Sequence, residues 1–263
     1  MKTWEFRKML YSWYKKNGRH TLPWRQTTDP YSIFISELML QQTQAPRVVP
    51  KYEAFLKKFP TAKVLARANT QAILQYWQGL GYNRRALFAQ RACIEIQKTY
   101  KGIFPKSRDT LISLPGIGPY TARAICVFAY NQSELVIETN VRTVIIHHFL
   151  QNKENVTDSE IESILKEIVD TKNPRKFYSA MMDYGTYLKQ QGIKTHRKST
   201  TYQKQSKFEG SFRQIRGKLV KAYASGGYKN VQKLIRNQEK NTQNDFKKAL
   251  ELLVKEGIIK KMS

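Results

Sequence analysis

Thiols are almost missing from this chain: among its 263 residues there are two cysteines, Cys93 and Cys126. That excludes a four-cysteine metal cluster and a disulfide framework. Both cysteines lie in helical apolar patterns and read as small core residues. Carboxylates are scarce too, 20 against 46 lysines and arginines, for a formal net charge of +26. An excess of this size repels itself unless it faces a polyanion, so nucleic acid is the expected partner. A membrane surface matches less well, since the basic residues are interleaved with Gln, Asn, Thr and Tyr and build no helix with one basic and one greasy face. No apolar run approaches a bilayer span, and the opening Met1-Lys-Thr-Trp-Glu5 carries no signal core. The expectation is a cytoplasmic protein, associated with the nucleoid in a prokaryote. Strand-like alternation is missing until the last few residues, no internal repeat is visible, and no seam of apolar heptads points to a dimer, so a monomer is expected.

What is present is helical. Phe6, Leu10, Trp13 and Tyr14 recur at helical spacing, as do apolar residues within 52–59, 70–76, 87–96 and 161–169. Thr157 with Glu160 forms a capping-box pattern, Gly102 and Pro105 break the chain after Tyr100, and Pro174 separates two helical stretches. Composition shifts near residue 187. Residues 187–210 are polar and basic without apolar periodicity, and read as a linker or DNA-facing loop. The whole stretch 187–263 holds 19 Lys/Arg against 5 Asp/Glu. Three short helical patterns follow, near Phe212–Tyr223, Val231–Arg236 and Asp245–Glu256, and then Ile258-Ile259-Lys260-Lys261 as a short strand. Residues 211–263 therefore read either as a winged-helix-like basic module or as a helical cap over core surface.

Three places carry chemistry. Leu114-Pro-Gly-Ile-Gly-Pro-Tyr-Thr-Ala122 reads as a tight turn between two helices, with Gly116 and Gly118 freeing the backbone to reverse and to aim N–H groups outward at a helix start, an arrangement that suits a phosphate. Glu37 lies in an otherwise apolar helix with Ile33, Phe34, Ile35, Leu38, Met39 and Leu40, where a carboxylate is costly unless paired or functional and where burial raises its pKa toward that of a working general acid. Glu138 follows the apolar Leu135-Val-Ile137 and opens Glu138-Thr-Asn-Val-Arg142; helix capping explains it as well as chemistry does.

Together these stretches resemble the helix-hairpin-helix (HhH-GPD) base-excision DNA glycosylases, and within them the adenine DNA glycosylase (MutY) branch. The resemblance rests on Leu22-Pro-Trp-Arg25, Pro30-Tyr31, Ser36-Glu-Leu-Met-Leu-Gln-Gln-Thr-Gln44, Gly79-Leu-Gly-Tyr82 with Arg85-Ala86, the hairpin at 114–122, Asn140-Val141 and Ala180-Met-Met-Asp-Tyr-Gly185, in that order. It covers residues 1–186 and implies an all-α, two-lobed helix-hairpin-helix fold, with the active site in the cleft between lobes and a target nucleotide flipped out of double-stranded DNA. It implies that Glu37 protonates the departing base and that Glu138 stabilises the positive sugar, with Asn140 orienting the carboxylate. Tyr120 stands where bifunctional relatives carry a lysine, so no Schiff base and no strand cleavage are implied. Trp24, Arg25 and Leu40 would line the base pocket, with Ser179 in place of a glutamine near the base. Gln41 and Tyr82 would wedge into the base stack beside the extruded nucleotide, although Tyr82 also fits ordinary core. Gln42, Arg84, Arg85 and Arg123 would contact DNA, as would Lys194, Arg197 and Lys198 of the linker; surface arginines also often meet only water. Gly116, Gly118 and Thr121 would face a phosphate, with hairpin carbonyls holding a monovalent cation.

Two further departures qualify the resemblance. Glu138 replaces an aspartate, lengthening the arm by one methylene, on the order of 1 Å, a displacement that matters when geometry is tight. The cysteines that follow the matched Met-Asp-x-Gly stretch are missing, so no cofactor or metal is expected and the basic linker 187–210 takes the place of the iron–sulfur loop. The resemblance thus implies a monofunctional glycosylase that removes adenine opposite 8-oxoguanine or guanine. The alternatives are a thymine, uracil or hypoxanthine mismatch glycosylase, or an inactive protein that binds distorted DNA.

Overall fold

A computed structural model describes residues 2–261. Its helices are α1 (Thr3–Asn17), α2 (Pro30–Leu40), α3 (Ala45–Lys58), α4 (Ala62–Arg67), α5 (Thr70–Tyr76), α6 (Arg84–Thr99), α7 (Arg108–Ile112), α8 (Pro119–Tyr130), α9 (Thr139–Phe149), α10 (Asp158–Ile168), α11 (Pro174–Gln190), α12 (Phe212–Arg236) and α13 (Lys240–Lys255). Among the described residues there is no strand, only an isolated bridge between Val156 and Ser199, and no helix is long and apolar enough to cross a membrane. The all-α reading holds.

The chain divides into two compact units. One draws on the described residues up to Phe34, Pro105–Ser113 and Ile117–Lys204; the other on Ile35–Phe104, Leu114–Gly116 and the described residues from Gln205 onward. In the first unit α11 packs along α9 and α1, burying Phe6, Leu10, Ile145, Phe177 and Met181 completely. Boundaries follow local chemistry. Thr157 Oγ1 accepts from the Glu160 N–H, and the Glu160 carboxylate accepts from the Thr157 N–H at 3.0 Å, so the capping box is formed at the start of α10. Pro174 occupies the first turn of α11, where its missing N–H costs nothing. Further along α11, a Cβ on Gly185 would lie 2.4 Å from the Asn140 carbonyl oxygen, so only glycine lets α11 approach the start of α9 this closely.

In the second unit α4 packs on α6, and α12 packs on α13 and α5. Leu219, Val220 and Tyr223 of α12 and Phe246, Leu250 and Leu253 of α13 share one cluster with Leu74 of α5 and Leu87 of α6. At about 1.5–3 kcal/mol per fully buried large apolar side chain, this is a substantial interface. The tail therefore packs as a cap on α5 and α6. The strand expected at Ile258–Lys261 is absent: Ile258 and Ile259 are each 1% exposed, turned into the same cluster from irregular backbone. β-branched residues here fill space and do not pair. The break expected between the first two tail helices is real, because α12 leaves helical geometry at Gly226 and Gly227.

The stretch 187–210 is less of a free linker than its composition implies. Residues 187–190 complete α11, and Thr195–Lys198 form a 3-10 turn against α9. Thr195 Oγ1 donates to the Thr143 carbonyl at 2.8 Å, and the Val156 N–H donates to the Lys198 carbonyl at 2.8 Å. Backbone and hydroxyl hydrogen bonds hold this segment without apolar periodicity, which is why its composition is misleading.

Candidate active site

Asp29 starts α2: its carboxylate accepts from the Ser32 N–H at 2.8 Å and the Ser32 hydroxyl at 2.6 Å, and Pro30 takes the first helical position. The helix that follows is apolar all round, with Tyr31, Ile33, Phe34, Ile35, Leu38 and Met39 buried, which is how a fully buried helix reads. Glu37 sits inside it at 6% exposure, an ionisable group where water is largely excluded.

Glu138 is half-buried at the start of α9. Its Oε1 accepts from the N–H groups of Asn140 (2.8 Å) and Val141 (2.9 Å), and Oε2 accepts from Asn140 Nδ2 (3.0 Å). The helix cap thus fixes both carboxylate oxygens. Desolvation pushes the Glu138 pKa up from the ordinary carboxylate value, while the N–H donors and Lys189 act in the opposite direction. Asn140 is itself held, since Thr186 Oγ1 of α11 donates to its Oδ1 at 3.3 Å.

A cavity of about 210 Å³ in the first unit is lined by Trp24, Arg25 and Ser179, along with Tyr14, His20, Phe128 and Arg175. Three of the four residues expected at a base pocket thus come together; Leu40 belongs to the second unit. The Arg25 side chain is 9% exposed. Its guanidinium lies over the Phe128 ring, and its Nη2 donates weakly to the Ser179 carbonyl (3.4 Å) and to Asp183 (3.5 Å). Its Nε and Nη1 are buried and have no hydrogen-bond partner among the described residues. Asp183, 3% exposed, takes the Arg19 N–H at 2.8 Å and the Arg19 guanidinium at 2.9 and 2.6 Å. The sequence reading missed this Arg19–Asp183 clamp, although a carboxylate inside the apolar helical run 177–188 is the same signal that singles out Glu37.

At the hairpin the two glycines differ. Gly116 has φ +77°, and a Cβ there would lie 2.3 Å from the Phe88 Cβ, so backbone and space both demand glycine. Gly118 has φ −85° in extended backbone that any residue adopts, with nothing within 4 Å of a built Cβ. The reversal expected of both belongs to Gly116; Gly118 is the residue before α8 and offers no capping side chain. Gly116→Ala is expected to destabilise the protein by about 1–3 kcal/mol, whereas Gly118→Ala stays within about 0.5 kcal/mol, as read from urea unfolding midpoints. Equal midpoints for the two variants would contradict this assignment. Thr121 is 2% exposed, so its hydroxyl is not presented at the surface as expected, while Tyr120 is half-buried.

Two arginines expected to contact DNA are engaged within the protein. Arg85 is 8% exposed and donates to the carbonyls of Leu38, Gln41 (2.7 Å), Leu80 (3.3 Å) and Gly81 (3.2 Å); burial lowers its pKa to about 10. Its planar fork ties together the end of α2 and the 80–82 loop, leaving nothing to offer a phosphate. Arg123 donates to the Leu135 carbonyl (3.1 Å) and pairs with Glu162 (3.4 Å) and Glu134 (4.0 Å). Lys198 is engaged with the Gln151 carbonyl and with Glu154. Arg84, Lys194, Arg197 and Gln42 are exposed, Gln41 is half-buried, and Tyr82 is 44% exposed and so not core.

Residues 35–171, just over half of the chain, match the HhH-GPD superfamily of base excision DNA repair proteins. The chain belongs to this superfamily. It is similar to an adenine DNA glycosylase of Buchnera aphidicola subsp. Baizongia pistaciae, 36% identical over 72% of this chain and 54% of the relative. An adenine DNA glycosylase of Mycolicibacterium smegmatis is 39% identical over 67% of this chain and 60% of the relative. The chain thus spans between half and two thirds of these relatives' length. Among solved structures, a thermostable thymine-DNA glycosylase superposes with a TM-score of 0.62 at 24% identity, over 70% of this chain and 85% of that one, a likeness of fold. A four-cysteine iron–sulfur cluster does not fit this member of the superfamily. Cys93 and Cys126 are buried singly in α6 and α8, and among the described residues no group of three His, Cys, Asp or Glu assembles to hold a metal.

Proposed function

We propose that this superfamily member is a monofunctional DNA glycosylase that removes adenine mispaired with 8-oxoguanine or guanine in double-stranded DNA, acting as a monomer. The observation that carries the reading is the contrast between two carboxylates. Glu37 sits almost fully buried inside an apolar helix, whereas Glu138, although burial raises its pKa, has both carboxylate oxygens held by the N–H donors of Asn140 and Val141. In this reading Glu37 passes its proton to a ring nitrogen of the base as the C1′–N bond breaks and the base takes the bonding pair. The Glu138 anion stabilises the cationic sugar, with Asn140 keeping it in place. Water then adds to C1′ and returns a proton to Glu37. Tyr120 supplies no amine, so the abasic strand is left uncut. Trp24 and Arg25 hold the extruded base, and Gly116, Gly118 and the start of α8 take a neighbouring phosphate.

A second reading is removal of a keto base such as hypoxanthine, thymine or uracil, whose carbonyl oxygens are acceptors for an arginine such as Arg25 in the cavity lining. A panel of duplexes separates the two: adenine opposite 8-oxoguanine or guanine, and each keto base in a mispair, under single-turnover conditions with and without alkali. The adenine strands are expected to break after alkali only. Breakage confined to keto bases would replace the first reading with the second, and no breakage on any duplex would leave a DNA-binding protein without catalysis.

A further inference from the structure

In the second unit, Gln42 (φ +56°) and Tyr82 (φ +45°) both adopt the left-handed backbone region that side chains disfavour, and both are exposed. Strain of this kind persists only where the surroundings hold it, and it clusters at functional surfaces. Arg85 holds the backbone, donating to the Gln41, Gly81 and Tyr82 carbonyls, and the exposed side chains are held from far along the sequence. Gln205 Nε2 donates to the Tyr82 hydroxyl at 2.6 Å and to Gln42 Oε1 at 3.2 Å, and Arg213 Nη1 donates to the same hydroxyl at 3.4 Å. Arg213 also closes the segment on itself, its Nη2 donating to the Ser206 carbonyl (2.7 Å) and hydroxyl (3.0 Å).

The chemistry of this patch fits one partner. Tyr82 (44% exposed), Phe208 (57%) and Phe212 (37%) offer ring faces to water, at a cost that stacked bases would remove. Lys207, Arg213 and Arg84 supply positive charge against Glu209 alone within 205–213. Aromatic faces interleaved with cations and carboxamides are what a nucleic-acid strand with an unpaired base accepts.

We propose that Gln205 and Arg213 are positioning residues for Tyr82, and that the segment Gln205–Arg213 forms with Gln42 and Tyr82 one surface that engages the DNA strand opposite the excised base. This rests on the glycosylase reading, in which Tyr82 enters the base stack. The polar tail beyond the superfamily match thereby acquires a task in judging the mispair. Its hydrogen bonds fix the angle at which the ring enters, and its cations hold the backbone on either side.

The test uses the full chain and duplexes carrying a tetrahydrofuran abasic analogue opposite 8-oxoguanine, guanine or cytosine, with affinities measured for wild type, Gln205→Ala, Tyr82→Phe and the double variant. Each single change is expected to weaken binding about tenfold opposite 8-oxoguanine and to compress the preference over cytosine. The double variant is expected to fall within about twofold of the weaker single, because both changes remove the same contact. Independent, multiplicative losses, or single variants that rank the three duplexes as the wild type does, would overturn the proposal. Unchanged unfolding midpoints exclude a merely structural effect. Should the wild type release no base from any mispair, the glycosylase reading fails, while these affinities still decide whether the surface reads the opposite strand.

Discussion

Glu37→Gln is expected to lower base release by about 10³-fold or more while leaving affinity for the duplex within about threefold. A positioned general acid contributes about 10²–10⁴ in rate, and here the same group also manages the water, so both half-reactions lose their proton carrier. The substitution is nearly isosteric, so the fully buried neighbours Phe34, Ile35 and Met39 keep their packing. With that packing kept, the unfolding midpoint is expected to stay close to that of the wild type. Single-turnover excision with alkaline strand scission reads the first quantity, gel-shift titration the second, and thermal unfolding the third. A variant that releases base at the wild-type rate would remove Glu37 from the mechanism.

Glu138→Gln is expected to cost about 100-fold or more in excision, the scale of losing one preorganised charge from a developing ion, while leaving the fold as stable or more so at neutral pH. The stability half follows from linkage. Desolvation raises the Glu138 pKa above its unfolded value, so its contribution is fully present below the ordinary carboxylate pKa and is lost as pH rises through the folded value. As wild type gives up that contribution with rising pH, a neutral glutamine, whose Oε1 can still accept from the Asn140 and Val141 N–H groups, keeps it. Unfolding midpoints measured from about pH 4 to pH 8 should diverge in favour of the variant as pH rises. A variant that loses stability relative to wild type over that range would mean that the capping anion is worth more than its burial costs.

Helices such as α1, α5, α6 and α10 were legible because apolar period and caps agree locally: Phe6 and Leu10 are buried where the spacing puts them, and Thr157–Glu160 caps as its pattern requires. What escaped depends on contacts distant in sequence. Arg85 looks like any surface arginine until four carbonyls are found around its guanidinium, an arrangement that no local pattern encodes. The same holds for Arg123, whose partners lie on the 134–135 loop and α10. Ile258 and Ile259 have strand propensity, but propensity yields to a core with room for them. Of the candidate site, Glu37 was visible as a residue type out of place and Trp24 through the family resemblance, whereas Arg175 and the Arg19–Asp183 clamp required α1 and α11 to be brought together first.

The cluster that joins Leu74 and Leu87 to Phe246 and Leu253 bears on synthesis in the cell. A ribosome delivers α5 and α6 long before α12 and α13, and at about 5–20 residues per second the interval is on the order of ten seconds. Throughout it, half of a greasy interface waits without its other half. The second unit cannot close as its first helices emerge, so the nascent chain must be shielded until its most basic stretch has been made.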